Sequence, residues 1–425
     1  MNSELTTAEK VQAGLARRRR KERVFRLSGM FAAAVGVVFL GVFFFTLIGT
    51  GSSAFQQTFM LLDIEFSEEV LAPDGELDLQ YADFDGLVRA ALRKEVSNVS
   101  GRSERRELNR LVSIGAGYQV RDQIMQNPDL LGTTQSIWVP AAANVDMLVK
   151  GNIDSGIAEN LRPISDRQIA WTDELRAAGR LETRFNAALF SNGDSREPEL
   201  AGIKGAMMGS FFMLLVTLSL SFPIGVAAAI YLEEFAPKNR WSDLVEVNIN
   251  NLAAVPSIVF GLLGLAVFIN LMALPRSAPL VGGLVLTLLT LPVIIIASRA
   301  AIKAVPPSIR EAALGVGASE MQVVFHHVLP LAMPGMLTGA IIGMSRALGE
   351  SAPLLMIGMI AFVVDVPGGF TDPATALPVQ IYLWADSPER AFAERTSAAI
   401  IVLLAFLLLM NFAAVLIRRR MERKW

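Results

Sequence analysis

No cysteine occurs in the chain, and histidine occurs only twice, side by side at His326 and His327. Disulfides, thiol chemistry and cysteine metal sites are thereby excluded, and nothing suggests a histidine-built metal centre. The Gly-x-x-x-x-Gly-Lys-Ser/Thr loop, whose backbone amides cradle nucleotide phosphates, is also missing. A chain without it leaves nucleotide hydrolysis of that kind to another protein. Charge is absent over long stretches, with none between Arg26 and Asp63. The acidic segment beyond offers Ser, Asp and Arg but no His partner and no catalytic spacing. The chain is therefore read as no enzyme, with no cofactor and no metal.

What remains is apolar: 52% of the 425 residues are hydrophobic. With long charge-free runs, that balance means an integral membrane protein. The net charge of −2 hides a strong segregation of sign. Residues 1–26 are polar and basic, with Arg17, Arg18, Arg19, Arg20 and Lys21 followed by Arg23 and Arg26. Residues 27–50 are apolar and long enough to cross a bilayer as a helix. A cleaved signal peptide is the rival reading, since Gly49, Gly51, Ser52, Ser53 and Ala54 follow the apolar run. The run exceeds the usual signal core of about 7–15 residues, which favours an anchor. The basic cluster then holds the N-terminus in the cytoplasm. Lying directly beside a span, it implies no nucleic-acid partner.

Residues 51–204 form the one long polar insertion, rich in acid at Asp63, Glu65, Glu68, Glu69, Asp74, Glu76, Asp78, Asp83 and Asp85. Interspersed apolar residues, such as 87–92 and 137–140, predict a globular domain with its own core, on the extracytoplasmic side. Asn98-Val99-Ser100 matches a glycosylation sequon, a pattern short enough to arise by chance.

From residue 205 to 417 the chain alternates uncharged stretches with charged links. Gly205–Leu232 carries Pro223 in mid-span, where a kink is expected. A loop with Glu233, Glu234, Lys238, Arg240, Asp243 and Glu246 follows, then an uncharged stretch from Val247 to Pro275. A third stretch, 279–298, ends at Arg299 and Lys303. The segment 301–332 is polar, a further span starts near Met333, and a last one covers Thr396 to Ile417. Residues 418–425 close the chain with Arg418, Arg419, Arg420, Arg423 and Lys424. The predicted fold is all-α and polytopic, with six transmembrane helices and a soluble extracytoplasmic domain between the first two. An even count puts both basic ends in the cytoplasm.

The span after the polar loop carries chemistry. Gly335, Gly339, Gly343, Arg346 and Glu350 are spaced four, four, three and four apart, one stripe of a helix. Glycines on a stripe let a partner helix approach closely. If the helix enters the membrane near Pro334, Arg346 lies roughly 18 Å along it and Glu350 roughly 24 Å. An arginine at that depth costs at least ~2.5 kcal/mol and must face a partner or a wet path. Either the two charges neutralise each other and join helices, or the guanidinium contacts an oxyanion in transit, its planar donors matching phosphate.

The polar loop starts a separate helix after Pro306 and Pro307. There Glu311-Ala312-Ala313, three residues, Gly317, then nine residues and x-x-Leu329-Pro330 resembles the coupling loop of permease subunits of ATP-binding-cassette importers. From about residue 200 onward, Val255-Pro256-Ser257-Ile258-Val259-Phe260-Gly261, Leu291-Pro292, Arg346-Ala347-Leu348-Gly349-Glu350 and Ala352-Pro353-Leu354-Leu355 are similar to the phosphate transport system permease family PstA. The resemblance implies a permease subunit in the bacterial inner membrane that moves inorganic phosphate by alternating access. It also implies a homologous permease as heterodimeric partner, two copies of a cytoplasmic ATP-binding subunit, and a periplasmic phosphate-binding protein, all set in membrane lipid. Glu311, Ala312, Ala313 and Gly317 would contact the ATPase, and Arg346 and Glu350 would line the route. A permease for molybdate, sulfate or phosphonate, or a membrane-anchored ligand sensor, stays open as an alternative.

Overall fold

Alternation of side chains, not helical periodicity, governs residues 56–65. In that stretch Thr58, Met60, Leu62 and Ile64 are all fully buried, while Phe59, Leu61 and Asp63 between them are half-buried. A period of two is the signature of a strand with one face in a core. The computed structural model describes residues 7–72, 82–96 and 99–421, so Asp74, Glu76, Asp78, Asn98, Arg423 and Lys424 lie outside the described residues. The chain divides into two compact units, Met1–Thr50 and Gly51–Trp425. In the first, the basic and apolar segments form one helix, α1 (Thr7–Gly51).

The second unit begins with the strand β1 (Gln56–Glu65), followed by α2 (Phe84–Glu95), α3 (Gly115–Gln126), β2 (Thr134–Pro140), α4 (Ala143–Val149), α5 (Asp166–Ala177) and β3 (Leu181–Phe185). The strands form an antiparallel sheet in the order β2-β1-β3, with Leu62 opposite Ile137 and Thr58 opposite Thr183. The all-α expectation is corrected here: the insertion is mixed, because its first strand pairs with partners far along the chain. Asp83 caps α2 by accepting from the Gly86 amide at 2.8 Å, and Ser165 with Gln168 forms a capping box on α5. Helices and sheet enclose a core of Met60, Leu62, Ile64, Leu92, Leu108, Ile124, Val139 and Leu175.

Beyond the insertion come α6 (Lys204–Ile230), α7 (Arg240–Ala253), α8 (Ser257–Gly264), α9 (Pro279–Lys303), α10 (Pro307–Gly315), α11 (Leu329–Gly349), α12 (Ala352–Met356), α13 (Leu377–Ala385) and α14 (Phe392–Met421). Among the described residues, five helices are long and apolar enough to cross a membrane, or six if one bent pair counts as a span. That pair, Arg240–Ala253 with Ser257–Leu271, overlaps the stretch expected as a single span over 247–275 and begins earlier, among the charges of the preceding loop. Its axes turn by 100° between Ala253 and Ser257. Pro256 explains the turn, since it donates no amide hydrogen and restricts Val255 to extended backbone. Pro223, by contrast, sits inside the unbroken α6.

α9 is the axis of this half. Gly282 and Gly283 lie against Met213 and Val216 of α6, so close that a Cβ would meet side-chain atoms at 2.4 and 2.6 Å. Thr217 Oγ1 donates to the Gly283 carbonyl at 3.2 Å, a polar tie between two apolar helices.

Candidate functional site

The helix α11 presents its small residues to α9. A Cβ on Gly335 would lie 2.6 Å from the Ala301 Cβ, and one on Gly339 only 2.3 Å from the Ala297 Cβ. At Gly343 the nearest atom, from Ile294, is at 3.6 Å, so the helices diverge toward that end. Arg346 follows where they part. Its side chain is 44% exposed and its Nε reaches Glu350 Oε1 at 3.5 Å. Glu350 has already left the helix, with φ −83° and ψ 120°, and α12 begins two residues later with Pro353 in its first turn. The helix thus ends before the proline, and backbone polar groups are released beside the pair. Next to Arg346, Ser345 Oγ donates to Asn411 Oδ1 of α14 at 2.7 Å, and about two turns back along α11 Thr338 Oγ1 accepts from Arg418 of α14 at 3.2 Å. Asn411 is polar in the middle of the last apolar run, the signal by which sequence reasoning could have found it.

At the opposite end of α9, α10 carries the Glu311 motif. Glu311 and Ala312 are exposed, whereas Ala313 is buried. Gly317 has φ +90°, a conformation that glycine adopts without a Cβ penalty, and the chain reverses there. Ser319 and Gln322 form a capping box for the next turn. Leu314, Val316, Met321 and Phe325 around this reversal are 46–87% exposed.

The base of the motif is held ionically. Arg310 Nη2 meets Glu234 Oε1 at 2.7 Å and the Ile302 carbonyl at 3.1 Å, and its Nη1 donates to the Val305 carbonyl at 2.7 Å. One side chain therefore satisfies carbonyls at the C-terminal end of α9 and ties α10 to the link after α6. Beside it Arg299 pairs with Glu233 and, at 2.6 Å, with Glu246, and Lys303 lies 3.4 Å from Glu233. The sequence displayed these charges as a loop and an inner boundary, but not as one three-against-three cluster.

A third polar concentration joins the insertion to α14. Lys150 Nζ lies 2.6 Å from Asp146 Oδ2 and 3.0 Å from Glu394 Oε1, all three side chains no more than 8% exposed. Glu394 Oε2 also accepts from Ser53 Oγ at 2.7 Å and Asn152 Nδ2 at 2.9 Å. Arg395, 1% exposed, donates to the Ala201 carbonyl at 3.2 Å. Nearby Glu199 is 3% exposed, and burial pushes its carboxyl above the usual glutamate range.

Residues 12–159 match a domain of unknown function, DUF3333, and residues 221–423 match the binding-protein-dependent transport system inner membrane component. The chain is 37% identical over 155 residues to the "Probable ABC transporter permease protein YqgI" of Bacillus subtilis, covering 36% of this chain and about half, 52%, of that relative. It is 31% identical over 217 residues to "Phosphate transport system permease protein PstA 1" of Mycobacterium tuberculosis, covering 51% of this chain and 70% of that protein. Among solved structures, the inward-facing MetNI methionine ABC transporter matches 51% of this chain and 95% of its own at 21% identity, with a TM-score of 0.42.

Proposed function

Because the chain belongs to the binding-protein-dependent transport system inner membrane component family, we propose that it is one of two membrane subunits of an ATP-driven importer of inorganic phosphate. The observation that carries the cargo is Arg346, a guanidinium between apolar helices with 44% of its side chain exposed and one long contact to Glu350 at 3.5 Å. Donors so placed match an oxyanion in planar, bidentate geometry. Glu350 balances the charge between passages. The phosphate transport names of the PstA relatives support the same cargo.

On this reading a homologous permease covers the Arg346 side, a phosphate-binding protein delivers the ion, and two ATP-binding subunits dock on Glu311, Ala312, Ala313 and Gly317. The exposed Leu314, Val316, Met321 and Phe325 supply apolar contact for that docking. The basic ends at 17–26 and 418–424 favour the cytoplasm, which puts the insertion on the outer side. Nucleotide-driven movement of the ATPase pushes α10, and the ion pairs of Arg310 and Arg299 pass the motion to α9 and α6.

Phosphate uptake in cells lacking their own copy, complemented by this chain or by Arg346→Gln, tests the reading. Restored uptake by the wild type and none by an inserted variant is the expected result. No restoration with all partners present sinks the phosphate assignment; competition of restored uptake by molybdate, sulfate or a phosphonate would shift the cargo to that oxyanion.

A further inference from the structure

β2 is an outer strand of the sheet, and its register to β1 fixes where its backbone points. The Ala141 amide donates to the Thr58 carbonyl and the Phe66 amide to the Thr133 carbonyl, so positions 135, 137 and 139 are the ones bonded to β1. Thr134, Ser136 and Trp138 therefore turn their amides and carbonyls outward. Leu61, opposite Trp138, keeps the same alternation by donating to the Arg180 carbonyl on the β3 side. Of the outward groups, the Trp138 carbonyl accepts from Gln119 Nε2 of α3 at 2.8 Å. The amides of Ser136 and Trp138 and the carbonyl of Ser136 have no hydrogen-bond partner among the described residues.

A cavity of about 470 Å³ lies along this edge. The four consecutive residues 135–138 all line it. Successive strand side chains point to opposite faces, so a space that meets all four runs beside the strand and not over one face. Its far wall is α3, where Gln119, Gln123 and Gln126, spaced four and three apart, form one stripe of the helix. Gln119 is fixed at Trp138 and the link 127–133 joins the other ends, so stripe and edge lie antiparallel over roughly 10–13 Å. Beyond Gln119, the carboxamides of Gln123, Gln126 and Gln135 are exposed and make no hydrogen bond among the described residues.

An edge strand beside a helix, with backbone donors and acceptors open, is the arrangement by which an extended chain adds to a sheet. Main-chain bonds supply the affinity, and alternate side chains supply the fit. The lining holds no carboxylate, and its one charge, Arg184, is bonded to Glu182 at 2.6 Å and lies 4.3 Å from the centre of the Trp138 ring. The groove thus suits uncharged side chains, facing carboxamides that donate and accept alike. A second copy of this chain cannot offer its own β2 edge, because its α3 already lies along it. We propose that the groove between β2 and α3 takes an extended, uncharged segment of a partner polypeptide, which joins the sheet beside β2. The proposal is independent of the cargo assigned above.

Panning the full chain in lipid nanodiscs with a displayed library of short random peptides tests it. Enriched peptides are expected to lack basic side chains. Synthetic copies are expected to bind saturably and to slow hydrogen exchange at the Ser136 and Trp138 amides, while the Ile137 amide, already bonded to β1, changes little. Ser136→Pro removes an outward donor without breaking a bond to β1, and it is expected to weaken binding about tenfold or more, as is N-methylation of one alternating set of peptide amides. Gln123→Trp fills the groove from the exposed side of α3, is expected to block binding, and keeps the test decisive if the proline variant misfolds. No enrichment, enrichment of basic peptides, binding that leaves both amides unprotected, or affinity unchanged in both variants for every enriched peptide overturns the proposal. Protection of the same amides by self-association of the chain without peptide overturns it as well.

Discussion

Lys150 and Glu394 stand 244 residues apart in sequence and 3.0 Å apart in space, at 4% and 8% side-chain exposure. Removing one partner of such a pair leaves a buried charge uncompensated, at about 3–5 kcal/mol. Lys150→Met strands both Asp146 and Glu394 and is expected to lower thermal stability strongly. Glu394→Gln, which retains two acceptor contacts, is expected to cost less. The triple change Lys150→Met, Asp146→Leu and Glu394→Leu should recover much of the loss in unfolding temperature; no recovery would show that the cluster holds the fold by something other than charge pairing.

Close packing of α11 on α9 yields a graded series. Gly339→Ala drives a methyl to 2.3 Å from the Ala297 Cβ and Gly343→Ala meets nothing nearer than 3.6 Å. The first is expected to cost about 1–3 kcal/mol and the second little. Ala297→Gly should rescue Gly339→Ala. Unfolding midpoints in detergent for the four variants decide the matter, and equal losses at 339 and 343 would contradict the divergence of the helices.

The Arg310–Glu234 pair predicts a separation of coupling from insertion. Arg310→Ala removes the contact at 2.7 Å and two carbonyl caps. The chain is expected to enter the membrane in normal amount, while substrate-stimulated ATP hydrolysis by the assembled transporter falls at least severalfold. Glu234→Asp, which shortens the reach but keeps the charge, should fall less. Full stimulation in Arg310→Ala would remove the pair from the coupling route.

For Glu199 the direction of the pKa shift sets an unusual pH dependence. Its carboxyl is raised above the ordinary value of 4.5, chiefly by burial, so the folded chain holds this proton after the unfolded chain has released it. The stabilising contribution is full below the unfolded value and declines as pH rises toward the folded one. Glu199→Gln is thus expected to gain on the wild type in unfolding temperature over the pH window that opens near 4.5 and runs upward. A constant difference across that window would contradict the shift.

Much of this architecture was legible because long apolar runs and prolines act locally. The apolar runs mark five of the helices, and Pro306 with Pro307 marks the start of α10. The glycine spacing of α11 identifies a face, although not that α9 meets it. Other features depend on distant residues. In Gln56–Glu65, apolar Phe59 and Leu61 occupy the half-buried face, so residue type alone hides the alternation of burial, and the partner strands begin only at Thr134 and Leu181. Hydropathy alone reads through Val255-Pro256, so the 100° bend stayed hidden in a stretch without charge. Glu394 and Arg395 directly precede the last apolar run, and their burial against the insertion is revealed by no local pattern.

The pairing of Lys150 with Glu394 also has a temporal side. During synthesis the insertion emerges 244 residues before its counter-ion. Until α14 follows, Lys150 has only Asp146, and the acceptor for Ser53 and Asn152 does not yet exist. Completion of the insertion is thereby deferred until α14 has been made. A chain that stalls before α14 presents an unfinished surface, and only the arrival of Glu394 closes it.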